Sequence, residues 1–443
     1  MLETDIIAPC DDCEWASNVV LADKKGGEKR LYIDYKQLNE ITKKDLWPIM
    51  RIDDALDSLF GAKFFTSLDM ASGFWQIPLH LDSQEKTAFL TADGHYYFKV
   101  MPFGLCNAPS SFTRMMEKVL GDLKFKFVLI YIDDIIIYSS SLIEHLEHLR
   151  IVLDRFIEAN LKLKPSKCFF CQKEVKFLGH IASEAGVRPD PPNVEAIQQI
   201  PAPKNIKQVR SFVGAATHYR KFIMNFSRIA APLLELTRNY IPFDWSAERE
   251  LAFQTLKCAL STVPVLAHFN PNARLRIETD GSGIAIGAVL SQESPTGYQV
   301  VSYASRTLNK CERNYPITEI EMLAIVWALD KFESYLGGPY EFQVITDHNA
   351  IAGLFKLPNP KGRLARWILS LRPYCMKISY RPGKGNEEAD LLSRPKPELE
   401  ILNNFIQASK GGTVSLPCFA LLPKKAPSQD KKSKQQNDDF FLV

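Results

Sequence analysis

The sequence lacks the features that would classify it at a glance. Lys and Arg number 54 against 51 Asp and Glu, a net charge of +3 over 443 residues. No excess of one sign announces a nucleic-acid partner, so any electropositive groove must be local. The N-terminus has no charged start leading into an apolar core, and no uninterrupted apolar run approaches the length that crosses a bilayer. Both point to an intracellular protein with no membrane partner. Nine cysteines are too few and odd in number for a disulfide framework, so free thiols are expected. Cys10 and Cys13 form one Cys-x-x-Cys and Cys168 and Cys171 another, which permits a four-thiolate zinc site on paper, but the intervening sequence is too long for a zinc ribbon. What the chain does have is apolar residues, 46 % of the total, enough for two to four domains with sizeable cores.

The stretch Phe127 to Ser139, FVLIYIDDIIIYS, organises the rest. Phe127 to Ile132 and Ile135 to Tyr138 are rich in β-branched and aromatic residues and read as buried strands. Between them stand Asp133 and Asp134, with no Gly or Asn to ease a turn. Two adjacent carboxylates at the edge of a core repel each other and lose hydration. A divalent cation at the hairpin tip would neutralise them; a polar turn facing water is the plain alternative.

Neighbouring strings decide between the two. Tyr131 to Asp134 reads YIDD. Upstream lie LYIDYKQLN (Leu31 to Asn39), FFTSLDMASGFWQIPL (Phe64 to Leu79) and MPFGLCNAPSSF (Met101 to Phe112); downstream lies KFLGHIASEAGVRPDP (Lys176 to Pro191). In this order they resemble the polymerase of gypsy-type LTR retrotransposon Pol polyproteins, and the resemblance runs from the first residues to about Arg394.

It implies an α+β and α/β multidomain chain: a right-hand polymerase followed by a ribonuclease H-like mixed-sheet domain. Residues 1–180 would be fingers and palm, 181–270 a thumb or connection-like helical region, 271–397 the nuclease domain and 398–443 a polar, disordered tail. The family carries more fingers sequence before this point, so the resemblance also implies shortened fingers. The strands Trp15 to Leu21 and Arg30 to Tyr35 form a hairpin with Lys24 and Lys25 at its tip. As plain sequence this is a solvated turn; in the resembled family Arg30 and Lys24 or Lys25 close on the incoming triphosphate.

Asp45 to Phe60 reads as a Pro-initiated helix, with Asp53 and Asp54 complementing the backbone dipole. Phe64, Phe65 and Leu68 build a buried strand ending at Asp69, either a helix cap or, by resemblance, the third metal ligand beside Asp133 and Asp134. Phe74 is a core residue by pattern. By resemblance it crowds the sugar 2′ position and favours deoxynucleotides. Tyr96 to Val100 is a strand, and Phe103 and Gly104 carry the match beneath the nascent pair. Leu142, Leu146, Leu149, Leu153 and Phe156 stripe a helix over Ser141 to Leu163, leaving His145 and His148 exposed. Phe169 to His180 resembles the family's primer-gripping hairpin. Lys204 to Thr237 is an amphipathic helical region whose basic face is soluble surface or tracks phosphates.

From Arg274 the order becomes strand, strand, strand, helix, strand, helix. Asp280, Glu321, Asp347 and Asp390 stand at strand ends or early in helices, in the strings ETDGS, TEIEMLAI, ITDHNA and GNEEADLLSR. They resemble the four carboxylates of ribonuclease H, although Thr318 and Glu321 also fit a capping box. Tyr380 to Asn386 lacks the histidine that retroviral domains carry there. The combined resemblance implies an RNA-directed DNA polymerase and an RNA-DNA hybrid ribonuclease, with Tyr131 beside the catalytic pair. Its cofactors would be two Mg2+ per site, with Mn2+ as substitute. Its partners would be an RNA template, a DNA primer, RNA-DNA hybrid and deoxynucleoside triphosphates, with dimerisation open, in a cytoplasmic particle with nuclear access. The alternative is a catalytically impaired, host-retained derivative that still binds hybrid. No aspartic-protease segment precedes the polymerase, and no integrase-like His/Cys arrangement follows residue 394.

Overall fold

The computed structural model describes residues 1–23, 29–48, 50–337, 341–351 and 362–381. Lys24, Lys25, Asp390, the helix expected over Asn386 to Leu392 and the tail lie outside the described residues, and so does the Arg30 side chain.

The central sheet has the order β7-β8-β4-β9, built from Phe64–Asp69 (β4), Val128–Tyr131 (β7), Asp134–Ser139 (β8) and Phe169–Gln172 (β9). Its apolar runs do not alternate with polar residues because both faces are covered. Val128, Ile130, Ile135 and Ile137 join one core with Phe112, Met116, Leu149 and Phe156, from helices Ala108–Leu120 (α4) and Leu142–Glu158 (α5). Leu129 and Ile136 point the other way, into a core shared with Leu56 and Leu59 near helix Ile52–Asp57 (α2) and with Phe212 and Phe253. The last two belong to a helical region of Pro191–Gln198 (α6), Ile206–His218 (α7), Phe226–Leu236 (α8) and Ala247–Ser261 (α9).

The N-terminal region holds the hairpin Asn18–Asp23 (β2) and Lys29–Asp34 (β3) and a sheet of Ile7–Pro9 (β1), Phe89–Thr91 (β5) and Gly94–Phe98 (β6). Small helices Lys36–Ile41 (α1) and Leu81–Gln84 (α3) connect them. Strands Glu174–Phe177 (β10), His180–Ser183 (β11) and Gly186–Pro189 (β12) make a separate meander.

The C-terminal sheet has the order β15-β14-β13-β16-β17: Leu275–Gly281 (β13), Ala285–Ser294 (β14), Gly297–Thr307 (β15), Phe342–Thr346 (β16) and Met376–Tyr380 (β17). Helix Ile317–Lys331 (α10), followed by Glu333–Leu336 (α11), covers one face with Met322 and Ile325 against Ile277 and Leu290. Helix Gly362–Leu371 (α12) packs against α10. On the other face α8 meets β15, where the Ser227 backbone N–H donates to Ser305 Oγ (2.9 Å) and the Ser227 hydroxyl to the Ser305 carbonyl (2.8 Å). The Tyr335 hydroxyl donates to Asp57 Oδ2 (2.8 Å), joining the C-terminal sheet region directly to α2. No helix among the described residues is long and apolar enough to cross a membrane.

Several expectations need correction. The helix expected over Asp45 to Phe60 narrows to α2. The segment before it is pinned sideways to α4 instead: Arg114 pairs with Asp45 and lies 4.7 Å over the Trp47 ring, and Trp47 Nε1 donates to Glu117 (3.1 Å). The buried face of α5 carries His145, Leu149, Val152 and Phe156, while Leu142 and Leu146 are exposed. His145 is fully buried, bridging Thr66 (2.7 Å) and Ser139 (2.9 Å), and His148 bonds Ser139 and stacks on Phe127. The two histidines serve a buried polar network, the arrangement that makes a core histidine tolerable. Phe169 to His180 is not one hairpin, since β9 pairs with β4 and β10 with β11. Cys10 and Cys13 are joined as a disulfide, their Cα atoms 5.8 Å apart and within bridging range. Thr318 is not a helix cap; α10 starts one residue earlier and the Thr318 hydroxyl contacts His348 Nε2 at 3.3 Å. Strands β1 and β17 and helix α12 went unanticipated.

Two candidate carboxylate sites

Strand β4 runs antiparallel to β8 with Asp69 directly opposite Asp134, and β7 pairs with β8 so that Tyr131 faces Asp134 across a two-residue turn. Ile132, the first turn residue, has φ +52°. A β-branched residue in the left-handed region costs on the order of 1–3 kcal/mol, and such outliers gather at functional turns. The turn stands Asp133 next to Asp134 and within electrostatic reach of Asp69. Burial, then the charges of Asp134 and Asp69, push the Asp133 carboxyl above its ordinary range. Burial and Asp69 push Asp134 up in the same way, against the opposing pull of Lys167. Lys167 Nζ lies 3.1 Å from Asp69 Oδ2.

Asp69, Asp133, Lys164 and Lys167 line a groove of about 810 Å³ with Gly73, Trp75 and Phe103. Among the described residues no three His, Cys, Asp or Glu side chains stand at ligand spacing. The chemistry of the donor set nevertheless suits a hard divalent cation: three mutually repelling carboxylates, Asp69 and Asp133 on the wall of an open groove and Asp134 in register with Asp69. Asp69, Asp133 and Asp134 fit such an ion.

Other anticipated residues surround this groove in different ways. Phe103 lines it. Phe74 is turned into the core, its ring 5.2 Å from Phe103 and 5.6 Å from Phe112, so it backs the wall rather than forming it. Gly104 has φ +101°, and a Cβ there would meet the Ile33 carbonyl at 3.3 Å. Only glycine holds this turn comfortably against the end of β3, and Asn39 Nδ2 of α1 donates to the Gly104 carbonyl (2.8 Å). Tyr131 packs edge-on against Phe177 of β10. Arg30 lies in β3 opposite Ala22. Trp75, Lys164 and Lys167 of the groove were missed. Trp75, whose buried indole N–H has no partner among the described residues, stands beside Phe74 and could have been suspected. Lys167 could not, being 98 residues from Asp69 in sequence.

The second site is assembled by strand ends. Thr279 of β13 pairs in parallel register with Thr346 of β16, so Asp280 and Asp347 follow at the same end of neighbouring strands, both exposed. Glu321 is buried on α10, and a Cβ on Gly281 would lie 3.2 Å from its carboxyl, which places it directly behind the β13 terminus. Three of the four expected carboxylates thus share one edge.

Residues 22–182 match the family described as reverse transcriptase (RNA-dependent DNA polymerase), and residues 245–344 match the RNase H-like domain found in reverse transcriptase. The chain is 43 % identical over 378 residues to the retrovirus-related Pol polyprotein from transposon 297 of Drosophila melanogaster, covering 85 % of this chain and 35 % of the relative. The chain belongs to the gypsy-type retrotransposon Pol family. It is 38 % identical over 425 residues to the Pol polyprotein from transposon opus of the same organism, covering 92 % of the chain and 42 % of the relative. It is 37 % identical over 389 residues to the Tf2-3 polyprotein of Schizosaccharomyces pombe, covering 87 % and 29 %. It therefore spans well under half the length of these relatives. Among solved structures, the foamy viral protease-reverse transcriptase dRH in complex with ds DNA aligns with TM-score 0.77 at 22 % identity, over 86 % of this chain and 67 % of that one. The foamy viral enzyme in complex with RNA/DNA hybrid aligns at 0.69 and 21 %, over 98 % and 55 %. At such identity the likeness is one of fold: a polymerase hand with an RNase H-like domain.

Proposed function

We propose that this chain copies RNA into DNA at the β7–β8 hairpin and cleaves the RNA of the resulting hybrid at the β13–β16 edge. The observation that carries the reading is the register of Asp69 against Asp134 beside the strained Ile132–Asp133 turn, at the wall of an open groove. Both families use divalent metals; Asp69, Asp133 and Asp134 would hold Mg2+ in the polymerase, and Asp280, Glu321 and Asp347, with Asp390, in the nuclease. When bound, such ions lower the pKa of the attacking hydroxyl or water and offset the charge that develops on phosphate oxygens.

The chain's own residues supply position. The turn fixes two carboxylates to a rigid sheet rather than a loop, which keeps them aligned while a primer end and a deoxynucleoside triphosphate meet in the groove. Phe103 and Trp75 offer an apolar wall to a base or sugar, and Lys164 offers charge to phosphates. Phe74, held between Phe103 and Phe112, stiffens the wall where a ribose 2′-hydroxyl would intrude, which favours deoxynucleotides. In the nuclease the buried Glu321 stands behind Asp280, so substrate phosphate approaches from the exposed Asp280 and Asp347 side.

Mg2+-dependent extension of oligo(dT) on poly(rA), with Asp133→Asn as control, tests the polymerase reading. Extension by the native chain and none by the variant is the expected result; equal signal from both refutes it.

A further inference from the structure

We propose that Lys167 acts as a built-in counter-ion of the polymerase carboxylates, competing with divalent cations for Asp69 and so setting the concentration at which the site loads. This rests on the polymerase reading above and concerns a positioning residue that does not itself touch substrate. Three observations point to it. Lys167 Nζ contacts Asp69 Oδ2 at 3.1 Å in the lining of the groove, with 57 % of the lysine side chain exposed. It reaches there from the single 3₁₀ turn Pro165–Lys167, whose neighbour Lys164 donates its backbone N–H to the Asp69 carbonyl (2.9 Å). The ammonium is therefore delivered by a segment that is itself tied to the β4 terminus.

Among the described residues, Lys167 is also the one cation paired with any of the three aspartates. Asp133 and Asp134 form no ion pair among the described residues; Asp134 feels Lys167 only through its charge, and Asp133 is repelled by both other aspartates. A long, half-exposed lysine loses little when it swings into the groove, because an exposed pair is weak. It can thus be displaced by a doubly charged ion, yet it raises the concentration that ion needs, through occupancy of Asp69 and through like-charge repulsion.

The test is Mn2+ titration of the full chain by electron paramagnetic resonance, in an Asp280→Asn, Asp347→Asn background that removes the nuclease ligands. Lys167→Gln should tighten Mn2+ binding by about three- to tenfold. Lys167→Arg should restore the native affinity, and Lys164→Gln, which removes a charge from the same groove outside the Asp69 pair, should change it less than twofold. A merely structural lysine would not give this pattern, since loss of folding weakens ion binding. Native affinity in Lys167→Gln, or an equal gain in Lys164→Gln, overturns the inference while leaving the polymerase reading intact. Absence of Mn2+ binding by the native background protein overturns both.

Discussion

The two acidic sites reach similar chemistry by opposite construction. In the central sheet, Asp133 comes from a strained two-residue turn, Asp134 from the strand that follows it and Asp69 from the adjacent strand in direct register, so the charges are crowded. In the C-terminal sheet, Asp280 and Asp347 end parallel strands, both exposed, and the buried carboxyl is supplied by a helix behind them. Crowding makes the first site electrostatically uneasy without positive charge, whereas Asp280 and Asp347 are set apart on neighbouring strands. The first depends on a backbone conformation that few residues accept, the second on parallel strand register and the helix packed behind it.

The largest effects should separate the activities. Asp133→Asn should lower primer extension by about a thousandfold or more while hybrid RNA cleavage stays within severalfold, and Asp347→Asn should do the reverse. Gel assays of extension and cleavage on the same labelled hybrid read both, and loss of both activities from either substitution would break the comparison.

Next comes the junction between the two regions. Burial pushes the Asp57 carboxyl up to about 6 despite the hydrogen bond from Tyr335. A raised carboxyl favours the folded state only while protonated, so this contribution is whole below about pH 4 and is lost as pH rises through about 6. Asp57→Asn keeps an acceptor for Tyr335 without the charge. It should therefore stabilise the chain at pH 7.5, by about 2 kcal/mol, and confer nothing near pH 4. Thermal melts at the two pH values check this, and an equal shift at both contradicts it.

Ile132→Gly should relieve the turn and raise stability by about 1 kcal/mol in urea melts, the strain released less glycine's extra chain entropy. Destabilisation would mean that Ile132 packing outweighs its conformation. Smallest of all, Asp133→Asn should stabilise the chain in chelator by about 0.5 kcal/mol after allowance for solvent screening, because it removes a repelling charge. Asp347→Asn, at the open edge, should not.

How much of this could be read from the residues alone depends on how far their partners lie. The β7–β8 hairpin was legible because doubly buried strands are written as unbroken β-branched runs, and Asp347 because it directly follows such a run, whereas β4 and Asp280 were legible through the strings that contain them. Phe74 was legible both as a core residue and as a member of a recognisable string. His145 was misjudged because the groups that satisfy it, Thr66 and Ser139, come from two different strands of the sheet. The start of α2 was misjudged because Trp47 and Asp45 answer to Arg114 and Glu117 on another helix. Lys167 carries no local signature, since its meaning depends on Asp69 and on the folded register.

The central claim is that Asp69, Asp133 and Asp134 converge to bind divalent cations. Anomalous diffraction at the manganese edge, from crystals of the chain soaked in Mn2+, tests it most directly. A peak among these three carboxylates is predicted, and a map whose peaks lie elsewhere, with none among them, would contradict the account.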